Sequence, residues 1–251
     1  VDGLVGSEMC IRDSLKIDIV NNGRYNVHVI EDDAFIGNVI RHGYEWDGFM
    51  RETVKNLYKP GTDLLDIGGN IGYNALMFSD YGPVHSYEPV FHSIIEKNIE
   101  INKLKNDISV HPYALSDKNE KDVDFFIAKS VLYKNKPDKK YINYGGTSMF
   151  FNKDPIHGHN PNLAITAECK TLDSVYEGIP SVIKIDVEGA ELNVLKGATE
   201  TIKKHKPSIL VEIHDYEKSE VGPYIENLGY KNETFENNEN MYLFISCTDE
   251  S

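Results

Sequence analysis

A glycine-rich turn at residues 66–72 (Asp-Ile-Gly-Gly-Asn-Ile-Gly) constrains the fold of this chain more than any other feature. It follows the apolar pair Leu64-Leu65 and precedes a helical pattern at 73–79, so it predicts a strand, a tight turn and a helix start. Glu88 follows Gly68 by 20 residues, at the end of the next predicted strand. Glycines let the backbone approach a ligand closely, and free amides at a helix start face it. An acid at the end of the next strand can accept hydrogen bonds from ribose hydroxyls. The pattern therefore predicts a nucleotide-like ligand.

The spacing of the turn distinguishes between nucleotides. A dinucleotide fingerprint has glycine at the first, third and sixth positions of its turn, whereas this chain has Asn70 at the third and Tyr73 at the sixth. NAD is therefore disfavoured. The Asp-x-Gly-x-Asn-x-Gly spacing instead resembles that of Class I S-adenosylmethionine (SAM) methyltransferases. The resemblance implies a ligand with an amino acid, a ribose and an adenine, which suits one acid near the amine and another at the ribose.

Length, charge and cysteine content limit the class of protein. The 251 residues and 40% hydrophobic content suit one α/β domain with modest additions. The formal net charge of -14 repels phosphate backbones, so nucleic acid is a disfavoured partner, and we interpret the basic segment 134–140 as a solvated loop. The three cysteines are too scattered for a zinc site or a disulfide framework, and no run approaches the roughly 20 apolar residues of a membrane span. We therefore expect a soluble cytoplasmic protein, and the sequence leaves its oligomeric state open.

The hydrophobic pattern predicts an N-terminal extension and one main domain. Residues 1–14 have no convincing period, and we interpret them as a non-native or disordered leader. Residues 15–42 alternate loosely around an Asn-Asn-Gly turn, and residues 45–57 show helical spacing. This predicts a β-hairpin and a helix that form an extension over residues 15–58. Strands and helices alternate through residues 59–251, which predicts an α/β fold with a long loop at 129–162. We expect a Rossmann-like, doubly wound and mostly parallel sheet with an antiparallel edge hairpin, as the resemblance to Class I methyltransferases also implies.

Charged side chains alternate with apolar ones along two predicted strands, at 181–187 and 208–214. A central strand is expected to be apolar on both faces, so a row of charges toward its carboxyl end indicates a function there. The charged side chains that should share this rim are Lys184, Asp186, Glu188, Glu212 and His214. Lys184 has two interpretations, either direct catalysis or a buried ion pair with Glu212 or Asp66.

Several patterns together resemble FkbM-type SAM-dependent methyltransferases, from about residue 44 to near the C-terminus. They are residues 66–72, 87–89, 113–117, 145–148 and 171–173, and residues 184–191 with 195–198. The Lys-x-Asp-x-Glu-Gly-x-Glu order of residues 184–191 is the most specific. The resemblance implies transfer of a methyl group from SAM, usually to a hydroxyl of a small molecule or saccharide. The alternatives are an N-methyltransferase acting on a peptide, lipid or nucleic acid, and a non-catalytic SAM-binding sensor or scaffold.

The same resemblance implies roles at the cofactor. The cofactor-binding residues would be Asp66, Gly68, Gly69, Asn70, Gly72, Glu88, Pro89, Ala114, Leu115 and Asp186. The glycine turn would line the methionine end, with Asp66 acting on the amine directly or through water. Glu88 would take the ribose, and Ala114 and Leu115 would flank the adenine. Asp186 would lie where the methyl donor and the acceptor meet.

An alcohol is a poor nucleophile at neutral pH, so a base within hydrogen-bond reach of its proton is expected. We hypothesise that Asp186 or His214 is that base, and that Glu188 and Glu212 orient the acceptor or tune the base. The protein would then need no metal. A second hypothesis places Mg or Mn among these same four residues, because oxygen-rich ligands with one imidazole suit such ions.

Overall fold

The computed structural model describes residues 15–132, 140–154, 158–234 and 240–247. The leader expected at 1–14 and nearly all of the basic segment 134–140 lie outside the described residues. None of the helices in the described ranges is long and apolar enough to cross a membrane.

Strands and helices alternate along the main part of the chain, as its hydrophobic pattern predicts. The strands are β1 (Ile17–Asn21), β2 (Asn26–Ile30), β3 (Asp63–Ile67), β4 (Val84–Tyr87), β5 (Ile108–His111), β6 (Ala114–Leu115), β7 (Glu120–Ala128), β8 (Ser130–Leu132), β9 (Lys140–Ile142), β10 (His159–Lys170), β11 (Pro180–Ile185), β12 (Ser208–Glu212), β13 (Tyr230–Thr234) and β14 (Met241–Ser246). The helices are α1 (Ile36–Arg41), α2 (Met50–Leu57), α3 (Tyr73–Phe78), α4 (His92–Glu100), α5 (Leu172–Val175), α6 (Glu191–Gly197), α7 (Thr199–His205) and α8 (Val221–Asn227).

The central sheet has seven strands in the order β13-β14-β12-β11-β3-β4-β5. Neighbours from β12 to β5 are parallel, whereas β14 runs antiparallel to both β12 and β13. The chain changes its direction of progress across the sheet between β3 and β11, which is where open α/β sheets bind ligands. The structure confirms the Rossmann-like, mostly parallel sheet with an antiparallel hairpin at one edge.

The two strands at this switch point are covered on both faces. Leu65 in β3 and Ile183 in β11 have no exposed surface. The same strands carry Asp66 and Lys184, which are 0% and 1% exposed and lie opposite each other in the register. A buried charged pair therefore interrupts an otherwise apolar core at the point where the sheet meets the glycine turn.

The segment 129–162, expected to be one long loop, contains regular structure. β8 and β9 form an antiparallel pair, and β10 begins at His159. β10 pairs antiparallel with β7 and parallel with β6 in a separate three-stranded sheet. The prediction of one continuous loop is therefore wrong. Strands of three residues, such as β8 and β9, are too short to leave an alternating pattern in the sequence.

The N-terminal extension is attached to the main sheet by a polar network. β1 and β2 form the predicted hairpin. The Tyr25 hydroxyl donates a hydrogen bond to Asp80 at 2.6 Å, and Arg51 pairs with both Asp80 at 2.8 Å and Glu45 at 2.7 Å. The helix predicted from residue 45 begins only at Met50, so that Glu45 faces Arg51 from the preceding turn.

The hydrophobic pattern at 190–204 predicts one helix, but the structure has two, α6 and α7, which meet at Ala198. The carboxylate of Asp173 accepts hydrogen bonds from the amides of Glu200 at 3.0 Å and Thr201 at 2.8 Å. These first-turn amides have no partner within their own helix. The distant acid satisfies them and allows a new helix to begin.

Candidate active site

The glycine turn joins β3 to α3 across the carboxyl end of the central sheet. Gly68 has a φ of 80°, and its amide donates a hydrogen bond to the carbonyl of Tyr87 at 3.0 Å. A Cβ atom at Gly68 would lie 1.8 Å from the carbonyl oxygen of Asp186. A side chain would therefore combine a disfavoured backbone conformation with a collision. Glycine at this position allows the turn to pack directly against the end of β11.

Glu88 follows β4 and holds the turn through backbone amides. Its carboxylate accepts hydrogen bonds from the amides of Asn70 at 2.8 Å, Val90 at 2.8 Å and Phe91 at 3.1 Å. Burial raises the pKa of Glu88, and these amides oppose the rise. The side chain is nearly buried but lies on the wall of a cavity. The carboxylate thus fixes the turn while it keeps oxygen lone pairs that a ligand can use.

Lys184 connects the two strands of the switch point. Its Nζ donates a hydrogen bond to the carbonyl of Gly68 at 2.8 Å and lies 3.3 Å from Asp66 Oδ1 and 3.5 Å from Asp186 Oδ2. Burial disfavours the charged form of Lys184, but the charges of Asp186 and Asp66 outweigh it and hold the pKa of Lys184 above its usual range. The structure pairs Lys184 with Asp66 and Asp186, and not with Glu212. This arrangement favours a positioning role over direct catalysis.

Glu212 and His214 meet Glu188 beyond the ends of β11 and β12. His214 Nε2 lies 3.7 Å from Glu188 Oε2 and 3.6 Å from Glu212 Oε2. The carboxylates of Glu188 and, next, Glu212 raise the pKa of His214 above its usual value and so favour the protonated imidazole. Burial and, next, the charge of Asp186 raise the pKa of Glu212. A protonated imidazole cannot accept a proton, which leaves Asp186 as the better candidate base.

Glu188 reaches this rim from a turn rather than from the strand. β11 ends at Ile185, and Glu188 has a φ of 54°. The prediction that Glu188 continues the strand alternation is therefore wrong, although its side chain does reach the predicted rim. The hydroxyl of Ser148 donates a hydrogen bond to the carbonyl of Glu188 at 2.7 Å and holds the turn from the other side of the cavity.

Residues 143–149, which we call the crossing segment, contact both ends of the site. At one end Asn70 Nδ2 donates a hydrogen bond to the carbonyl of Tyr144 at 3.3 Å. At the other end lies the contact between Ser148 and Glu188. The Tyr144 hydroxyl also donates to Asp32 at 3.1 Å, which links the segment to the N-terminal extension. The crossing segment is therefore held by the glycine turn, by the turn after β11 and by the N-terminal extension.

A cavity with about 1090 Å³ of open space, its mouth included, connects these elements. The predicted residues on its wall are Gly68, Asn70, Glu88, Pro89, Ala114, Leu115, Asp186, Glu188 and Glu212. The remaining predicted residues, which lie outside that wall, are Asp66, Gly69, Gly72, Lys184 and His214. Asp66 has no exposed surface, so direct contact between its carboxylate and a ligand amine does not fit this conformation.

Apolar and aromatic side chains that belong to no motif complete the wall. They are Phe35, Ile36, Trp46, Val90, Phe91, Phe125 and Met149. These residues come from the extension, the start of α4, β7 and the crossing segment. Their positions are far apart in the sequence, so no local spacing marks them as one surface. Of these segments, only the crossing segment overlaps a pattern that resembles the family, at residues 145–148.

The metal hypothesis has a partial geometric counterpart. Glu188, Glu212 and His214 each offer one ligand atom, and these atoms lie within 4.8 Å of one another. Asp186 is not part of this group. Two carboxylates and an imidazole suit a divalent cation that prefers oxygen ligands. Metal binding stays a prediction.

The strand order, the glycine turn after the first parallel strand and the acid after the second define the Class I methyltransferase architecture. The chain belongs to the methyltransferase FkbM domain family, whose model matches residues 66–232. The match confirms the resemblance indicated by the motifs. It leaves β1, β2, α1 and α2 outside the matched region.

Solved structures with a related fold include three methyltransferases. The chain is 18% identical to a methyltransferase FkbM from Methylobacillus flagellatus KT, covering 73% of this chain and 43% of that one with a TM-score of 0.44. It is 12% identical to the tRNA (uracil-54, C5)-methyltransferase of Pyrococcus abyssi in complex with S-adenosyl-L-homocysteine, covering 91% and 43% with a TM-score of 0.47. It is 9% identical to the tRNA m1G37 methyltransferase of M. jannaschii, covering 93% and 55% with a TM-score of 0.46. The chain thus spans about half the length of these proteins, and no curated protein matches its sequence.

Proposed function

We propose that this chain is a SAM-dependent methyltransferase that methylates a hydroxyl of a small molecule or saccharide. One observation carries the proposal. The acid that follows β4, Glu88, and the acid that follows β11, Asp186, lie on the wall of the same cavity. The candidate ribose-binding group, Glu88, and the candidate base, Asp186, therefore line the same cavity as the glycine turn.

The residues on the cavity wall fit SAM in chemical type. Gly68 and Asn70 would border the methionine end, and Glu88 would accept hydrogen bonds from the ribose hydroxyls. Ala114 and Leu115, which are nearly buried, offer the apolar surface that an adenine needs. When bound, SAM supplies an electrophilic methyl group, and the protein contributes alignment and proton transfer.

Four charged side chains near the end of β11 would each have a separate role in proton transfer and positioning. Asp186 would accept the proton of the acceptor hydroxyl. Lys184 holds Asp186 in place at 3.5 Å and the glycine turn at 2.8 Å, so that the base and the cofactor loop keep a fixed relation. Burial and the nearby charge of Asp186 raise the pKa of Glu212, which would orient the same carboxylate. His214 would hold Glu188 and Glu212 together as an imidazolium.

The charge of the chain and the residues on the cavity wall support a small hydroxylated acceptor. The acids Asp186, Glu188 and Glu212 line one part of the wall, and the net charge of the chain is -14, which disfavours a polyanionic acceptor. Aromatic residues such as Trp46 and Phe125 line another part. A wall that combines acids with aromatic rings suits a compact hydroxylated molecule such as a sugar ring.

The test combines binding and transfer. Wild-type protein is incubated with methyl-labelled SAM and panels of hydroxylated small molecules, saccharides, amines and tRNA, while SAM binding is measured separately by calorimetry. We expect label on a hydroxyl, and we expect Asp186→Asn to lower turnover by roughly 10²- to 10⁴-fold with SAM affinity nearly unchanged. The exposed acid Glu52, changed to glutamine, is the matched control. SAM binding without transfer to any acceptor would favour a sensor, and label on nitrogen would overturn the hydroxyl assignment.

A further inference from the structure

Two aromatic residues of the N-terminal extension lie on the cavity wall, Phe35 and Trp46. Neither belongs to a motif, and both precede residue 66, where the match to the family begins. The wall residues to which the proposed function gives a role at the cofactor all lie inside the matched region. The two rings are therefore an addition to the cavity that the matched domain does not supply.

Phe35 lies at the mouth of the cavity, because it is on the wall and yet 44% exposed. The chain around it is fixed. The amide of Ala34 donates a hydrogen bond to the carbonyl of Ile142 at 2.9 Å, directly before the crossing segment. The buried carboxylate of Asp33 accepts a hydrogen bond from the amide of Phe35 at 3.4 Å. A ligand that covers this ring would remove apolar surface from water without having to order the backbone that carries it.

Trp46 is held in place through both of its neighbours in the chain. The carboxylate of Glu45 forms an ion pair with Arg51 at 2.7 Å. The carboxylate of Asp47 accepts a hydrogen bond from Asn74 Nδ2 at 3.1 Å. The backbone that carries the indole is thus tied both to α2 and to α3. A ring on such a backbone loses little conformational freedom when a ligand stacks on it.

The position of Trp46 favours contact with the acceptor over contact with the adenine. The charge of Asp186, the candidate base, acts on the carboxyl of Asp47, so the turn that carries Trp46 lies near that base. The wall residues that would flank the adenine belong instead to β6 (Ala114–Leu115), in the separate three-stranded sheet. The base must reach the acceptor hydroxyl. A ring carried by the same turn therefore lies on the acceptor side of the cavity.

We propose that Phe35 and Trp46 form an aromatic platform that stacks against the ring of a cyclic hydroxylated acceptor and selects a pyranoside over an open-chain polyol. This inference rests on the proposed function, because it assigns the acceptor of the same site. A sugar ring presents C–H groups on its faces and hydroxyls at its edge. The faces suit aromatic rings, and the hydroxyls suit the acids Asp186 and Glu188 on the wall. An open-chain polyol has similar hydroxyls but no fixed apolar face.

The test uses the fluorescence of Trp46, which is the only tryptophan of the chain. Protein saturated with S-adenosylhomocysteine is titrated with the methyl pyranosides of several hexoses and, separately, with the corresponding hexitols. Wild type is compared with Phe35→Leu, which keeps an apolar side chain without a ring, and with Phe35→Tyr, which keeps the ring. Tyr44→Ala is the control, because Tyr44 is an exposed aromatic residue of the same extension that lies off the wall. Circular dichroism verifies the fold of each variant.

We expect a saturable change of the emission with at least one pyranoside and none with its hexitol. Phe35→Leu should weaken that binding roughly 3- to 10-fold, the effect of one lost aromatic contact. Phe35→Tyr and Tyr44→Ala should bind the pyranoside as wild type does. The affinity for S-adenosylhomocysteine, measured by calorimetry, should be the same in wild type and in every variant.

The platform is overturned if no pyranoside gives a saturable response, if pyranoside and hexitol respond equally, or if Phe35→Leu binds the pyranoside as tightly as wild type. A lower affinity of Phe35→Leu for S-adenosylhomocysteine would also overturn it, because the ring would then belong to the cofactor site. If wild type in these cases still binds S-adenosylhomocysteine and transfers label from SAM to a hydroxyl, the proposed function survives and only the platform fails. A wild-type protein that does not bind S-adenosylhomocysteine overturns both.

Discussion

Lys184 Nζ donates a hydrogen bond to the carbonyl oxygen of Gly68 at 2.8 Å, which joins the charged strand β11 to the glycine turn. The same ammonium group forms ion pairs with both Asp66 and Asp186. One side chain thus supports the cofactor loop and the candidate base together. Changes at Lys184 should therefore affect stability and function at the same time.

Lys184→Met should lower the free energy of unfolding by about 3–5 kcal/mol, because it leaves the buried charge of Asp66 without its partner. Urea denaturation of wild type and variant measures this difference. The added substitution Asp66→Asn should restore part of the lost stability, since no unpaired buried charge then remains at that position. Lys196→Met, at an exposed position, is the control. Wild-type stability in Lys184→Met would contradict the pairing.

Gly68→Ala should destabilise the protein and abolish SAM binding, because a Cβ atom would lie 1.8 Å from the carbonyl oxygen of Asp186. A substitution at Gly23 is the control that tests backbone strain without a steric clash. It has a φ of 91°, but a Cβ atom added there would have no other atom within 4 Å. Gly23→Ala should therefore cost only about 1–2 kcal/mol, the penalty of the left-handed backbone, and should leave SAM affinity intact. Urea denaturation and calorimetric titration with SAM distinguish the two variants, and equal behaviour would refute the role of the close contact.

The features that the sequence predicts correctly are those that depend on residues close together in the chain. The turn at 66–72 combines a strand end, required glycines and a helix start within a few residues, and its geometry appears as predicted. The charges of Lys184 and Asp186 stand out against an apolar strand for the same reason. Both patterns can be recognised from neighbouring residues alone, without knowledge of how the rest of the chain folds.

The parts of the site that the sequence does not predict depend on tertiary packing. Trp46 fits a helical apolar pattern, yet it lies on the cavity wall because the helix begins later, at Met50. His214 fits the profile of a base until Glu188, from a turn after a different strand, approaches to 3.7 Å and raises its pKa. Both features depend on contacts between residues far apart in the sequence.

Ser148→Ala should weaken acceptor binding more than cofactor binding. Its hydroxyl donates a hydrogen bond to the carbonyl of Glu188 at 2.7 Å, and its loss should loosen the turn that carries Glu188 on the cavity wall. We expect the KM for the acceptor to rise roughly 3- to 10-fold, the effect of one hydrogen bond, with unchanged SAM affinity. Steady-state kinetics and SAM titration measure the two quantities. Ser109→Ala, at an exposed position in β5, is the control, and a loss of SAM affinity in Ser148→Ala would contradict the separation.

The histidines of the sheet should make the protein acid-sensitive. His111 Nε2 lies 3.0 Å from His85 Nδ1, and the His111 ring stacks on Tyr87 with centroids 4.4 Å apart. Burial, followed by the charge of His85, lowers the pKa of His111 from 6.5 to about 4. The unfolded chain therefore binds a proton at a higher pH than the folded protein does. Stability is complete above the unfolded value and is lost as pH falls from about 6.5 toward 4.

His111→Phe should reduce this acid sensitivity, because phenylalanine can stack on Tyr87 but does not titrate. Between neutral pH and about pH 4, the free energy of unfolding should fall further in wild type than in the variant. We expect a difference on the order of 1–2 kcal/mol, which is discounted for the partial exposure of the ring. Urea denaturation at a series of pH values measures both curves. His42→Phe, at an exposed histidine, should keep the wild-type dependence. Parallel curves for wild type and His111→Phe would show that the acid sensitivity arises elsewhere in the chain.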